Sequence, residues 1–336
     1  MPQMRIYAFT DDAGRQALAM AENSTLKSLQ ITSSGRLHAL SAPEPVQWPW
    51  QDPAQAMALR LVNYHRVLGE LVKYLPKIIP ASFESVFEDA NGVGQVLFQH
   101  AQEILELLLR YGHLRQFSLS ICWNTAVMQQ LMQRFPKAAG ASSLEKERRI
   151  LRDQILAQLQ GRLRDLIIMD EPDGNVVLHA ILLAEARGED RIAEALQRID
   201  SECQGRLHIR LVGPLPACNF ARVEVKLPDR ALVRRACQDL GIGFAERLSA
   251  VKEAYRRKVK ALHPDRSKNK KEHELMVRLT RSYRYLNQLA AQQNLHAENN
   301  PDKQWLRCDR RTLRKTPLLN IQRGITRWDD ALIKRV

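Results

Sequence analysis

Three adjacent residues carry the densest chemistry in this 336-residue chain: His263, Pro264 and Asp265. An imidazole and a carboxylate flank a ring that fixes its own backbone angle. The cations Lys252, Arg256, Arg257, Lys260 and Arg266 stand close by in the sequence. A histidine and an aspartate can ligate a metal or move a proton. Neither use has its remaining members here, because no third ligand and no nucleophile lies at suitable spacing. The cations point instead to an acidic partner.

Other chemistry-bearing residues stay scattered. Cys122, Cys203, Cys218, Cys237 and Cys308 are odd in number and include no Cys-x-x-Cys pair. That spacing argues for a reducing cytoplasm and against a disulfide frame or zinc site. His65 and His100 fall within helical patterns and read as packing or surface residues. Glu88-Asp89 has no partner base, and Gly92-x-Gly94 is too short for a phosphate loop. There is no Gly-x-Ser-x-Gly and no P-loop. The expectation is a binding protein rather than an enzyme, with no cofactor and no metal.

Two helices must position the His-Pro-Asp group. In the first, about Ser249 to Leu262, the residues Val251, Ala254, Tyr255, Val259 and Leu262 share one stripe. Lys252, Arg256, Arg257 and Lys260 lie largely on the other faces. Pro264 disfavours helical angles at His263 and stops the helix. Ser267 to Lys271 reads as a solvated loop. The next helix, about Glu272 to Leu289, places Met276, Leu279, Tyr283 and Leu286 at steps of three and four. The two stripes pack as an antiparallel hairpin with His263-Pro264-Asp265 at its tip.

This segment, about residues 230–292, resembles a J-domain, the module that stimulates DnaK-type chaperone ATPases. The resemblance implies that Asp265 pairs with an arginine of the chaperone. It implies that Lys252, Arg256, Arg257, Lys260 and Arg266 meet an acidic chaperone surface, while His263 and Pro264 hold the loop. It also implies that Val251, Ala254, Tyr255, Val259, Leu262, Met276, Leu279, Tyr283 and Leu286 form the helical core. Two departures stand out: Cys237 occupies a position where a tyrosine is usual, and Lys258 replaces a common leucine.

Charge divides the chain. Residues 1–228 hold 25 basic and 25 acidic groups, so the whole net charge of +14 lies in residues 229–336. No apolar run approaches the roughly 20 residues a membrane helix needs. The N-terminus lacks the layout of a secretory signal. The expected location is the cytoplasm, with no membrane partner.

The neutral part reads as α+β. A strand from Met4 to Phe9 precedes a hairpin around Ser33-Ser34-Gly35. Pro53 opens a helix with an apolar face at Met57, Leu61, Tyr64, Leu68, Leu71 and Leu75. Lys77 to Phe87 is extended, with Pro80 at an edge or bulge. A helix carrying Leu97, Ala101, Ile104, Leu105 and Leu108 follows. Phe117, Leu119, Ile121 and Trp123 then alternate with polar residues as a half-buried strand. These elements form a first, ferredoxin-like unit over residues 1–126. A long helix from Ser143 to Leu166, a strand from Asn175, a helix from Arg191 to Cys203 and strands from Leu207 and Ala221 make a second unit over 127–228. The J-like unit takes 229–292 and a basic tail 293–336. In the tail, Leu318, Leu319, Ile321, Ile325, Trp328, Leu332 and Ile333 suggest a docking segment, which either packs on the chain itself or makes a second contact with an acidic partner.

A second resemblance covers residues 4 to about 227. Met4-Arg5-Ile6-Tyr7-Ala8-Phe9, Tyr64-His65-Arg66-Val67-Leu68, Ile78 to Phe87 and Gly213-Pro214-Leu215-Pro216-Ala217-Cys218-Asn219-Phe220 stand in the order of the gas vesicle family GvpF/GvpL. Leu215, Ala217 and Cys218 replace aromatic and proline positions of that last motif. The resemblance implies a non-enzymatic accessory protein that binds the hydrophobic shell subunit and other gas vesicle proteins, located at the gas vesicle. The fused J-like segment implies a DnaK-type chaperone as a further partner. Two alternatives stay open: a basic nucleic-acid-binding regulator, and a minor shell component with a degenerate J-domain. Against the regulator, no exposed aromatics interleave with the basic residues and no helix-turn-helix is evident.

Overall fold

The structure is a computed structural model. It describes residues 3–44, 53–87, 90–124, 126, 137–169, 175–261, 270–294 and 300–323.

The first sheet is built on β1 (Met4–Asp11), flanked by β3 (Leu37–Pro43) and β4 (Ile79–Pro80). β2 (Gln30–Ser34) lies outside β3, and β5 (Val86–Phe87) also pairs with β1. All these pairs are antiparallel. Between β1 and β2 run α1 (Asp12–Ala19) and the single turn α2 (Ser24–Lys27); α3 (Pro53–Tyr74) joins β3 to β4. The element order is therefore β-α-β-β-α-β. α1, absent from the sequence reading, starts because Asp11 caps it: its carboxylate accepts from Gly14 N at 3.1 Å.

β1 is covered on both faces. On one, Tyr7, Ala8 and Leu40 pack against Tyr64, Leu68, Leu71 and Leu75 of α3. On the other, Ile6, Phe9 and Leu37 pack against Val93, Leu97, Ile104 and Leu108 of α4 (Ala90–Tyr111). The expected buried face of α3 is shorter than the pattern suggests: Met57 is 51% and Leu61 42% exposed. A helix of 22 residues spans about 33 Å. The strands beneath span less, about 26 Å for β1, so a helix of this length presents more face than the sheet can cover.

The second sheet repeats the arrangement. β6 (Leu114–Trp123) lies between β8 (Val176–Glu185) and β9 (Leu207–Leu215), with β7 (Asp165–Ile168) outside β8. α5 (Lys137–Leu159) and α6 (Glu189–Cys203) cover one face through Ile155, Leu159, Ile192 and Ile199. The strand from Phe117 to Trp123, read above as closing the first unit, is thus central to the second sheet. Alternation marks a half-buried strand but does not choose its sheet. The long helix also ends earlier than expected. Gly161 adopts a positive φ of 78°, and residues 165–168 become a strand.

β10 (Ala221–Lys226) is a second correction of partner. Sequence order makes it the last strand of the second unit. Val223 and Val225 instead enter the core of the first sheet beside Ile79 and Val93. The segment leading into it is tied to β6: Gln116 Nε2 donates to Asn219 Oδ1 at 2.9 Å, and Asn219 N donates to Gln116 Oε1 at 2.8 Å. Gly213 lies so close to Phe117 that a Cβ would sit 2.6 Å from the ring.

The basic third folds around α7 (Arg230–Leu240), α8 (Leu248–Ala261) and α9 (Lys270–Gln293). Two short strands, β11 (Ala245–Arg247) and β12 (Trp305–Arg307), pair beside them. The chain continues through α10 (Arg310–Arg314) to β13 (Leu318–Arg323), which pairs antiparallel with β10.

Candidate functional site

α7 starts and stops by local rules. Asp229 accepts from Ala231 N at 2.7 Å at its N-terminus. Gly241 ends it at φ 67°, and Ile242 N returns to Cys237 O at 3.1 Å. Between them Val233, Ala236, Cys237 and Leu240 form the buried face.

α8 and α9 bring the expected core residues together. Val251, Leu279 and Leu286 join the α7 face in one cluster, with Tyr255 and Tyr283 packed against it. Ala254 is buried, and Val259 and Met276 are half-buried. The Tyr255 and Tyr283 rings stack with centroids 4.2 Å apart and planes 9° from parallel. Tyr255 Oη also shares a hydrogen bond with Thr280 Oγ1 at 3.2 Å. Lys252, Arg256, Arg257 and Lys260 are exposed on α8. Leu262, His263, Pro264, Asp265 and Arg266 lie outside the described residues.

Both departures from the J-domain pattern have a structural role. Cys237 packs against Cys308, with sulfurs 3.8 Å apart. Cys308 arrives from the C-terminal segment with Leu306 and Leu313 and completes the helical core. Lys258 donates to the main-chain oxygen of Asp239 at 2.6 Å, placing a cation at the C-terminal end of α7. The Asp239 carboxylate accepts from Ser282 Oγ at 2.8 Å and meets Arg278 Nε at 3.2 Å. Sequence reading missed this anchor, because Asp239 and Ser282 are 43 residues apart with no periodic signal between them.

Elsewhere, a cleft of about 890 Å³ opens between the start of α4 and α10. Phe87, Phe98 and Leu227 supply apolar walls; Arg314 and Lys315 supply charge. Phe98 is 70% exposed. His65, set on α3, has its imidazole pKa pushed down by burial. His100 is buried in α4 and its Nδ1 lies 2.9 Å from Glu103. Among the described residues no group of three or more His, Cys, Asp or Glu is placed to hold a metal. No described helix is long and apolar enough to cross a membrane.

The family described as gas vesicle synthesis protein GvpL/GvpF matches residues 4–144 and 137–222. The fold is similar to the crystal structure of the gas vesicle protein GvpF from Anabaena sp. PCC7120. That likeness has a TM-score of 0.50 and 16% identity, and covers 65% of this chain and 94% of that one. The gas vesicle protein GvpF from Microcystis aeruginosa matches with a TM-score of 0.49 and 13% identity, covering 65% and 98%. No curated protein sequence matches this chain.

Proposed function

This chain belongs to the gas vesicle synthesis protein family GvpL/GvpF, and from that premise we propose that it is a non-enzymatic assembly factor that holds the hydrophobic shell subunit and recruits a DnaK-type chaperone. The family match over residues 4–222 carries the first half of this reading. Exposed apolar side chains on the body agree with an apolar client: Met57, Leu61 and Val62 on α3, and Phe98 on α4. A subunit that packs into a water-excluding wall exposes apolar surface before assembly, and such surface aggregates.

The second half rests on the helical third. Its three helices, joint core and exposed cations on α8 are compatible with the J-like reading of His263-Pro264-Asp265. Joining a client holder to a chaperone recruiter raises the local chaperone concentration at the client. The body up to about residue 228 acts as holder and the unit over 229–292 as recruiter. The two are anchored to each other, since β13 pairs with the body while β12 pairs with the helical unit. The β-α-β-β-α-β order of the first sheet supports the ferredoxin-like assignment.

Two measurements on the full chain test the reading. Purified protein should retain the shell subunit in solution; a subunit that precipitates equally with and without it removes the holder role. Asp265→Lys should abolish stimulation of a DnaK-type ATPase while shell-subunit retention stays unchanged. Equal stimulation by both proteins removes the recruiter role.

A further inference from the structure

β10 has two edges, and they are used very differently. One is committed to the body: Val223 O accepts from Ser82 N at 2.7 Å, and Val225 N donates to Ser85 Oγ at 3.1 Å. Backbone groups alternate sides along a strand, so Arg222, Glu224 and Lys226 turn theirs the other way. That outer edge is covered by β13, in register from Ala221 opposite Arg323 to Lys226 opposite Leu318. Leu319 and Ile321 pack against the body core, while Asn320 and Gln322 face solvent. The family match ends at Arg222, inside β10. The strand that covers its outer edge therefore comes from beyond the family region.

We propose that the outer edge of β10 is the docking edge for an extended client segment with apolar side chains at alternate positions, and that β13 is its exchangeable occupant from the same chain. The proposal rests on the assembly reading above and assigns the client's contact to one strand. Strand addition suits such a client, since the backbone ladder supplies affinity and alternate side chains supply selectivity. An open strand edge also invites uncontrolled pairing. A chain that handles an aggregation-prone client is protected while its own strand fills the edge. β13 is six residues long; it places Leu319 and Ile321 against the body core and Leu318 against the helical core, a small apolar contact set that suits local release.

A reversible lock tests this in the full chain. Glu224 and Asn320 are opposite in register, and Asn320 Nδ2 donates to Glu224 Oε2 at 3.0 Å. Cysteines at directly opposed positions come within disulfide reach. The Glu224→Cys/Asn320→Cys protein is oxidised with diamide, which takes up both thiol hydrogens, and reopened with dithiothreitol. Wild-type protein given the same treatment controls for Cys237 and Cys308. Arg222→Cys/Gln322→Cys supplies a second lock if the first pair does not fold. Two probes are used: the shell subunit, and a fluorescent peptide copying residues 317–323.

The reduced form should take up both probes as wild type does. The oxidised form should bind both at least about tenfold more weakly, because its competent fraction is removed. Equal binding by open and locked forms overturns the proposal, and so does exclusion of the peptide from both. Uptake of the peptide by the open form alone, with no shell subunit bound by either, supports exchange at this edge and removes the assembly reading instead.

Discussion

Arg5 and Glu44 form an ion pair beside the first sheet: Arg5 Nε and Nη2 each lie 2.6 Å from Glu44 Oε2, with the side chains 7% and 8% exposed. The same guanidinium lies over the Phe83 ring, 4.0 Å from its centroid. It thus links β1, the end of β3 and the connector that leads to β5.

Removing one member of this pair leaves a largely buried charge without this counterion. Glu44→Ala should lower stability by about 3–5 kcal/mol, the range for breaking a buried pair. Arg5→Met combined with Glu44→Leu should recover part of that loss, since Arg60, whose Nε lies 3.7 Å from Glu44 Oε1, still loses that contact. Urea denaturation of the three proteins checks it, and equal losses for single and double variants would show that the pairing is not what matters.

The helical third depends on a shared core. Leu286 is fully buried between α7 and α8, so Leu286→Ala should cost about 2–5 kcal/mol. The loss should appear as faster amide exchange in α7, α8 and α9, with protection in β1 and β6 unchanged. Exchange rising throughout the chain would show that the helical unit and the body unfold together.

Asp239 anchors α7 to α9 through Ser282 and Arg278. Asp239→Ala removes a carboxylate with charged and hydroxyl partners and should destabilise the unit by about 1–3 kcal/mol. Lys258→Met leaves that carboxylate in place and removes the cation at the helix end with its one hydrogen bond to Asp239 O, so its effect should be smaller, about 0.5–1 kcal/mol. Thermal melts ranking the two in the opposite order would overturn the assignment.

The fold should weaken in alkali. Burial pushes the Cys218 thiol up to about 12 from its ordinary 9.0, with Arg222 opposing. Burial also raises Tyr64, whose hydroxyl donates to Ala81 O. Above about pH 9 the unfolded chain releases the thiol proton while the folded chain keeps it. The folded state then binds more protons, and stability falls by about 1.4 kcal/mol per pH unit for each such group. Urea midpoints should drop between pH 9 and 11, and less steeply in Cys218→Ala. Parallel slopes for the two proteins would remove Cys218 as a source.

Much of the local architecture was legible in the residues. The stripe Val251, Ala254, Tyr255 and the series Met276, Leu279, Tyr283, Leu286 mark two helices that meet, because a 3.6-residue period leaves one face to bury. Phe117, Leu119, Ile121 and Trp123 likewise mark a strand with one dry face. Less legible was the unit each strand serves. β6 and β10 both left the sheets that sequence order suggested, since alternation reports burial and not the identity of the neighbour.

Sequence alone determined the chain's local periods and the split between a neutral body and a basic third. These depend on a few neighbouring residues or on simple charge. Only the tertiary structure decided that Leu319 and Ile321 complete the core begun by Ile6 and Phe9, that Cys308 fills the space beside Cys237, and that Arg5 meets Glu44. Such contacts join residues far apart in the chain, and their stability comes from excluding water across surfaces that no short stretch of sequence contains.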